Sequence, residues 1–135
     1  MFRKLLIANR GEIAIRVMHT AASLGIPTAA VYSKDDRDSL HVYRADEAIE
    51  LPGMGAAAYL NVEGLIDAAI GAGCDAIHPG YGFLSENAQF AAACARAGIR
   101  FVGPEPATLA LFGDKGAARA LAIESKVVIF SRYSF

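Results

Sequence analysis

The segment Asp75-Ala76-Ile77-His78-Pro79-Gly80-Tyr81-Gly82-Phe83-Leu84-Ser85-Glu86-Asn87 gathers most of the residue types through which this chain could do chemistry. A histidine can accept or donate a proton, and a tyrosine offers a ring face and a hydroxyl. Two flanking glycines let backbone approach a ligand closely. The segment leaves a short apolar run and enters a helical pattern, with Ser85 as the expected N-cap and Glu86 in the first turn. Strand, glycine-rich turn and helix is how open α/β sheets present N–H groups and side chains to a ligand. From the residues alone, loop formation explains Gly80 and Gly82 as well as ligand contact does. A lone histidine such as His78 is more often a structural hydrogen-bonding group than a catalytic one.

Other polar clusters are weaker. Lys115, in Gly113-Asp114-Lys115, would project from a helix start, where a point charge suits phosphate oxygens; any surface lysine meets the same description. Ala8-Asn9-Arg10-Gly11-Glu12 stands where a dinucleotide fold has its phosphate-binding turn. It lacks the G-x-G-x-x-G pattern, however, and Glu12 would repel a phosphate, so a nicotinamide cofactor is disfavoured. Asn9 and Arg10 are expected to tie loops together by hydrogen bonds. The run Lys34 to Asp38 holds three aspartates at no calcium-loop spacing and reads as a solvated loop. His19, His41 and His78 form no i, i+4 pair, and Cys74 and Cys94 have no partner at metal spacing, so no metal site is expected.

The elements that must position these residues follow from periodicity. Lys4 to Ala8 is a short apolar run, as in a strand covered on both faces. Glu12 to Leu24 places Ile13, Val17 and Ala21 at spacing four, with Ala14, Met18 and Ala22 beside them, and Gly25 closes this amphipathic helix. Strands are expected at Pro27 to Tyr32, Ala48 to Leu51, Ala76-Ile77 and Arg100 to Val102. Val62, Leu65, Ile66, Ala69 and Ile70 form the stripe of a second helix, and Ala88 to Ala97 a third. Pro106 suits a short helix start, and Asp114 would cap a helix from Lys115 to Glu124. This alternation predicts an α/β domain with a Rossmann-like, open, mainly parallel sheet and helices on both faces.

At 135 residues the chain is one domain at most, burying roughly two-thirds of its unfolded surface. Thirteen Lys and Arg against 14 Asp and Glu give no electrostatic case for nucleic acid or an anionic membrane. The 54% hydrophobic content is inflated by 27 alanines, and the longest apolar runs, such as Phe90 to Ala95, fall far short of a membrane span. The N-terminus carries no signal-peptide or transit pattern, and the two cysteines read as buried thiols of a reducing compartment. A cytoplasmic location is expected.

Taken together, several segments resemble the N-terminal part of biotin carboxylases. They are Lys4 to Arg16, Ala30-Val31-Tyr32-Ser33 with Asp36-Arg37-Asp38, and Leu40-His41-Val42 leading to Ala45-Asp46-Glu47-Ala48. Ala76 to Asn87 is the most characteristic, and Phe101-Val102-Gly103-Pro104 with Gly113-Asp114-Lys115 completes the match. The resemblance covers residues 2 to about 124. It implies the Rossmann-like domain that precedes an ATP-grasp domain, in an enzyme that uses MgATP and bicarbonate to form carboxyphosphate and then carboxylates N1 of biotin. By the same resemblance, Lys115 contacts ATP, and Tyr81 and Gly82 lie near the biotin ring with His78 and Glu86 shaping that pocket. Arg16 falls on a homodimer interface, and the partners are a biotin carboxyl carrier and a carboxyltransferase. His19 and Ser23 depart from the charged residues that often accompany that arginine. Residues 1–124 are thus expected to form the domain and 125–135 a divergent tail. Neither the ATP lid nor the acidic metal ligands nor the bicarbonate-handling residues of the family occur in these 135 residues, so the isolated chain is expected to be inactive. The alternative expectation is a non-catalytic paralogue serving as an interaction or small-ligand-binding domain.

Overall fold

Leu5, Leu6 and Ile7 leave no side chain for water, and the fold is arranged so that none meets it. These residues form β1 (Leu5–Ile7), all three buried, at the centre of a five-stranded parallel sheet in a computed structural model that describes residues 2–103 and 109. The other strands are β2 (Thr28–Tyr32), β3 (Glu47–Glu50), β4 (Ala76–His78) and β5 (Arg100–Phe101), in the order β3-β2-β1-β4-β5. Every neighbouring pair is parallel. Both faces must then be covered, because parallel strands need crossover connections that lay helices on the sheet.

The period of two along β1 decides which helix each residue meets. Leu5 and Ile7 point to a cluster with Ala14, Met18 and Ala21 of α1 (Gly11–Ser23). Leu6 points the other way, to Leu65, Ala68 and Ala69 of α4 (Val62–Gly71) and Phe90 and Cys94 of α5 (Ala88–Arg96). The expected α/β architecture with helices on both faces is what forms. Gly25, at φ +72°, ends α1 as expected, and the Ile26 N–H returns to the Ala21 carbonyl at 2.8 Å.

Three details differ from the sequence expectations. Two short helices, α2 (Leu40–Arg44) and α3 (Gly55–Ala58), lie where no element was expected. Ile70 is exposed, because the buried face of α4 runs through Gly64, Leu65, Ala68 and Ala69. Ser85 does not cap α5: Asn87 does, its Oδ1 accepting the Phe90 N–H at 2.8 Å, while Ser85 and Glu86 stay in the preceding turns. The expected helices at Pro106 and Lys115 to Glu124, and the tail 125–135, fall outside the described residues.

Candidate functional site

Strand order reverses between β1 and β4, whose last residues Ile7 and His78 are register partners. The Ala8 N–H donates to the His78 carbonyl at 2.9 Å, so the loops after β1 and β4 leave the sheet side by side. Ligands of open α/β sheets bind outside the carboxyl ends of the strands at such a reversal. The His78 to Phe83 loop sits there.

Asn9, buried at the end of β1, shapes the first half of this loop. Its Nδ2 donates to the carbonyls of Pro79 and Tyr81, both at 2.8 Å, and its Oδ1 accepts the Arg10 N–H at 2.8 Å. The two glycines serve different ends. A Cβ on Gly80 would come within 2.7 Å of Asn9 Nδ2 and 2.9 Å of Ile13 Cγ2, so Gly80 lets the loop press onto Asn9. A Cβ on Gly82 would meet nothing within 4 Å, so this residue faces open space. Both have positive φ, +68° and +74°, as glycine allows without cost. Tyr81 between them is 81% exposed, its side chain open to solvent.

His78 is half-buried, and its Nδ1 accepts the Gly80 N–H at 3.0 Å. Burial lowers its pKa from the ordinary 6.5, and the accepted hydrogen bond also requires the unprotonated nitrogen. It is thus a neutral group locking the start of the loop. Glu86 is exposed beyond the loop. Arg16 is exposed on α1, and it lines, with His78, Gly80 and Tyr81, an open groove of about 1130 Å³ running along that helix. Lys115 lies outside the described residues. Among the described residues no group of three or more His, Cys, Asp or Glu side chains is placed to hold a metal ion.

The stretch Lys34 to Asp38 is not simply solvated. Asp36 Oδ2 accepts from Tyr59 Oη at 2.8 Å, Arg10 Nη1 at 3.2 Å and Ser33 Oγ at 3.2 Å. Burial works against this carboxylate, but the donors outweigh it and hold its pKa below the ordinary value. Tyr59 is fully buried, which pushes its hydroxyl up to about 12, and its oxygen accepts the Ser33 N–H at 3.1 Å. Arg10 lies over the Tyr59 and Phe83 rings at 5.5 and 5.7 Å. Asn9 and Arg10 thus tie loops together, as their types suggested. The roles of Asp36 and Tyr59 carry no local signal, since the partners stand 23 positions apart.

Among the described residues no helix is long and apolar enough to cross a membrane. Cys74 and Cys94 are buried free thiols, both pushed up to about 11 by burial.

Comparison with known proteins agrees with this geometry. The family model described as biotin carboxylase, N-terminal domain, matches residues 1–109. The chain is 56% identical over 121 residues to the biotin carboxylase of Halalkalibacterium halodurans, covering 88% of this chain and 26% of that protein. It is 54% identical over 129 residues to the pyruvate carboxylase of Staphylococcus aureus, covering 94% of this chain and 11% of that one. A solved biotin carboxylase domain of a single-chain bacterial carboxylase superposes with a TM-score of 0.89 at 56% identity, over 93% of this chain and 30% of that one. The chain therefore spans only a fraction of each relative's length.

Proposed function

Since this chain belongs to the family of biotin carboxylase N-terminal domains, we propose that its His78 to Phe83 loop forms the biotin-facing wall of a carboxylation site. One observation carries this: an exposed Tyr81 ring stands beside open space at Gly82, at the strand-order reversal. The planar ureido ring of biotin could lie against such a surface, a ring face beside backbone that a Cβ would otherwise obstruct.

The division of labour follows from what each residue can do. Tyr81 offers the ring, Gly82 the close approach, and neutral His78 holds the loop's first turn without adding charge. Glu86 closes the far side, and Lys115 is assigned to the ATP phosphates. MgATP, when bound, supplies the phosphoryl group that activates bicarbonate. Positioning that phosphoryl group takes metal and several cationic clamps, more than Lys115 alone supplies. The partners assigned are a biotin carboxyl carrier, a carboxyltransferase component and a second copy meeting the α1 face through Arg16. We take residues 1–124 as the domain and 125–135 as a tail outside it, in a reducing, cytoplasmic setting that suits two free thiols.

The 135-residue chain by itself should show no bicarbonate-dependent ATP hydrolysis. Residues 2–103 exchanged for the matching segment of the Halalkalibacterium halodurans enzyme should support biotin-dependent ADP formation. A folded chimera without that activity would count against the assignment.

A further inference from the structure

Among the described residues, Phe83 is the only non-glycine with a positive φ, +44°. A bulky residue in the left-handed region is strained, and such strain persists only where the surroundings over-determine it. Asn9 does not account for it, since its bonds end at Pro79 and Tyr81, on the near side of Gly82. Among the described residues, no side chain donates a hydrogen bond to the Phe83 backbone. Phe83 packs against the core cluster that contains Tyr59, and its ring there joins a stack. Its ring lies on Tyr59 at 5.2 Å between centroids and 27° between planes, and the Arg10 guanidinium lies over both rings.

We propose that Arg10 is a positioning residue: held by Asp36 and lying on Phe83 and Tyr59, it keeps Phe83 left-handed and so fixes the Tyr81–Gly82 surface. The guanidinium is tethered, because its Nη1 bonds a carboxylate that Tyr59 and Ser33 also grip. A cation over two aromatic faces is attracted by both quadrupoles, and the planar group matches the stacked rings as an ammonium would not. Consecutive residues at the end of β1 thus divide the loop. Asn9 holds Pro79 to Tyr81 by hydrogen bonds, and Arg10 holds Phe83 by its ring. The chain of contacts continues through Asp36 to the 3₁₀ turn Lys34–Asp36, where Asp35 Oδ1 accepts the Gly55 N–H at 2.9 Å. Loops distant in sequence therefore converge on the geometry of one ligand-facing turn.

The functional meaning of this clamp rests on the biotin-wall reading; its geometry does not. The test uses the full 135-residue chain, isotope-labelled for NMR. The Ser85 N–H donates to the Gly82 carbonyl at 2.9 Å and so reports on the turn that Phe83 closes. R10A should speed Ser85 amide exchange roughly tenfold and shift the φ-dependent coupling of residue 83, with β1 and β4 amides unchanged within about twofold. In R10A/F83G, a glycine takes positive φ without a clamp, so Ser85 protection should return to within about threefold of the parent. Should R10A fail to fold, R10K, which keeps the charge and loses the plane, is read in the same way. Unaltered Ser85 exchange, loss of protection spread evenly over the sheet, or no rescue by F83G would each overturn the proposal. Free biotin added to the same samples separates the two claims. Arg10-dependent loop order without biotin-induced shifts at Tyr81 or Gly82 keeps the clamp and removes the biotin wall. Biotin shifts that are identical in R10A, together with unaltered Ser85 exchange, keep the wall and overturn the clamp.

Discussion

Replacing Gly80 by alanine should destabilise this protein far more than the same replacement at Gly82, two residues away. Both residues have a left-handed φ, +68° and +74°, so each alanine carries about 1–2 kcal/mol of backbone strain. At Gly82 that is the whole cost, since the new methyl meets nothing within 4 Å. At Gly80 the methyl would stand 2.7 Å from Asn9 Nδ2, 2.9 Å from Ile13 Cγ2 and 3.0 Å from Asn9 Cβ. Asn9 is buried and cannot swing aside without giving up its bonds to Pro79 and Tyr81. Disrupting buried hydrogen bonds adds about 1–3 kcal/mol, bringing Gly80→Ala to about 2–5 kcal/mol. At about 4 °C per kcal/mol for a domain of this size, its Tm should fall by about 8–20 °C, against about 4–8 °C for Gly82→Ala. Thermal denaturation followed by circular dichroism measures both. Equal losses, or a larger one at Gly82, would refute the division of roles between the two glycines.

Capping and burial give sharper local contrasts. Asn87→Ala should cost about 1 kcal/mol by removing the α5 cap, and Ser85→Ala a few tenths; the reverse order in denaturant midpoints would reinstate Ser85 as the cap. Leu65→Ala, at a position with no exposed surface, should cost about 2–5 kcal/mol, whereas Ile70→Ala should stay within about 0.5 kcal/mol, and comparable losses would place α4 wrongly on the sheet. Acidification should also weaken the fold through His78. Burial lowers its folded pKa below 6.5, so the unfolded chain binds the proton first, and stability present above about pH 6.5 is lost as pH falls below it. Asp36 and Asp75, whose pKa values lie below 3.8, act in a separate window at more acidic pH. His78→Gln should flatten the upper limb in denaturation midpoints taken between about pH 7.5 and 5.5; an unaltered limb would assign it to another group.

How much of this was legible in the sequence depends on how local each signal was. The central strands and α1, α4 and α5 announce themselves through apolar period, because each must bury a face over several turns or along a full strand. Helices α2 and α3, with five and four residues, are too short to show a period, and Ala56 to Ala58 carry no pattern at all. Ile70 extends the stripe of α4 in sequence, yet the buried face of that helix is centred on Leu65, Ala68 and Ala69. The candidate loop was visible from its glycines and its place between strand and helix. That Gly80 serves packing and Gly82 open space was not, since the difference lies in Asn9 and Ile13, roughly seventy positions away. Phe83's left-handed backbone and the grip of Arg10, Asp36 and Tyr59 likewise arise from contacts between distant segments. Composition made Lys34 to Asp38 look solvated, because nothing nearby announced the Tyr59 hydroxyl.

The most direct test of the account is the dependence of catalysis on Tyr81 in the chimera of residues 2–103 with the Halalkalibacterium halodurans biotin carboxylase. Steady-state kinetics with free biotin and with ATP separate the wall from the nucleotide site. If the loop is the biotin-facing wall, Tyr81→Ala should raise the KM for biotin about tenfold and leave the KM for ATP within about twofold. An unchanged KM for biotin, or a rise confined to ATP, would contradict it.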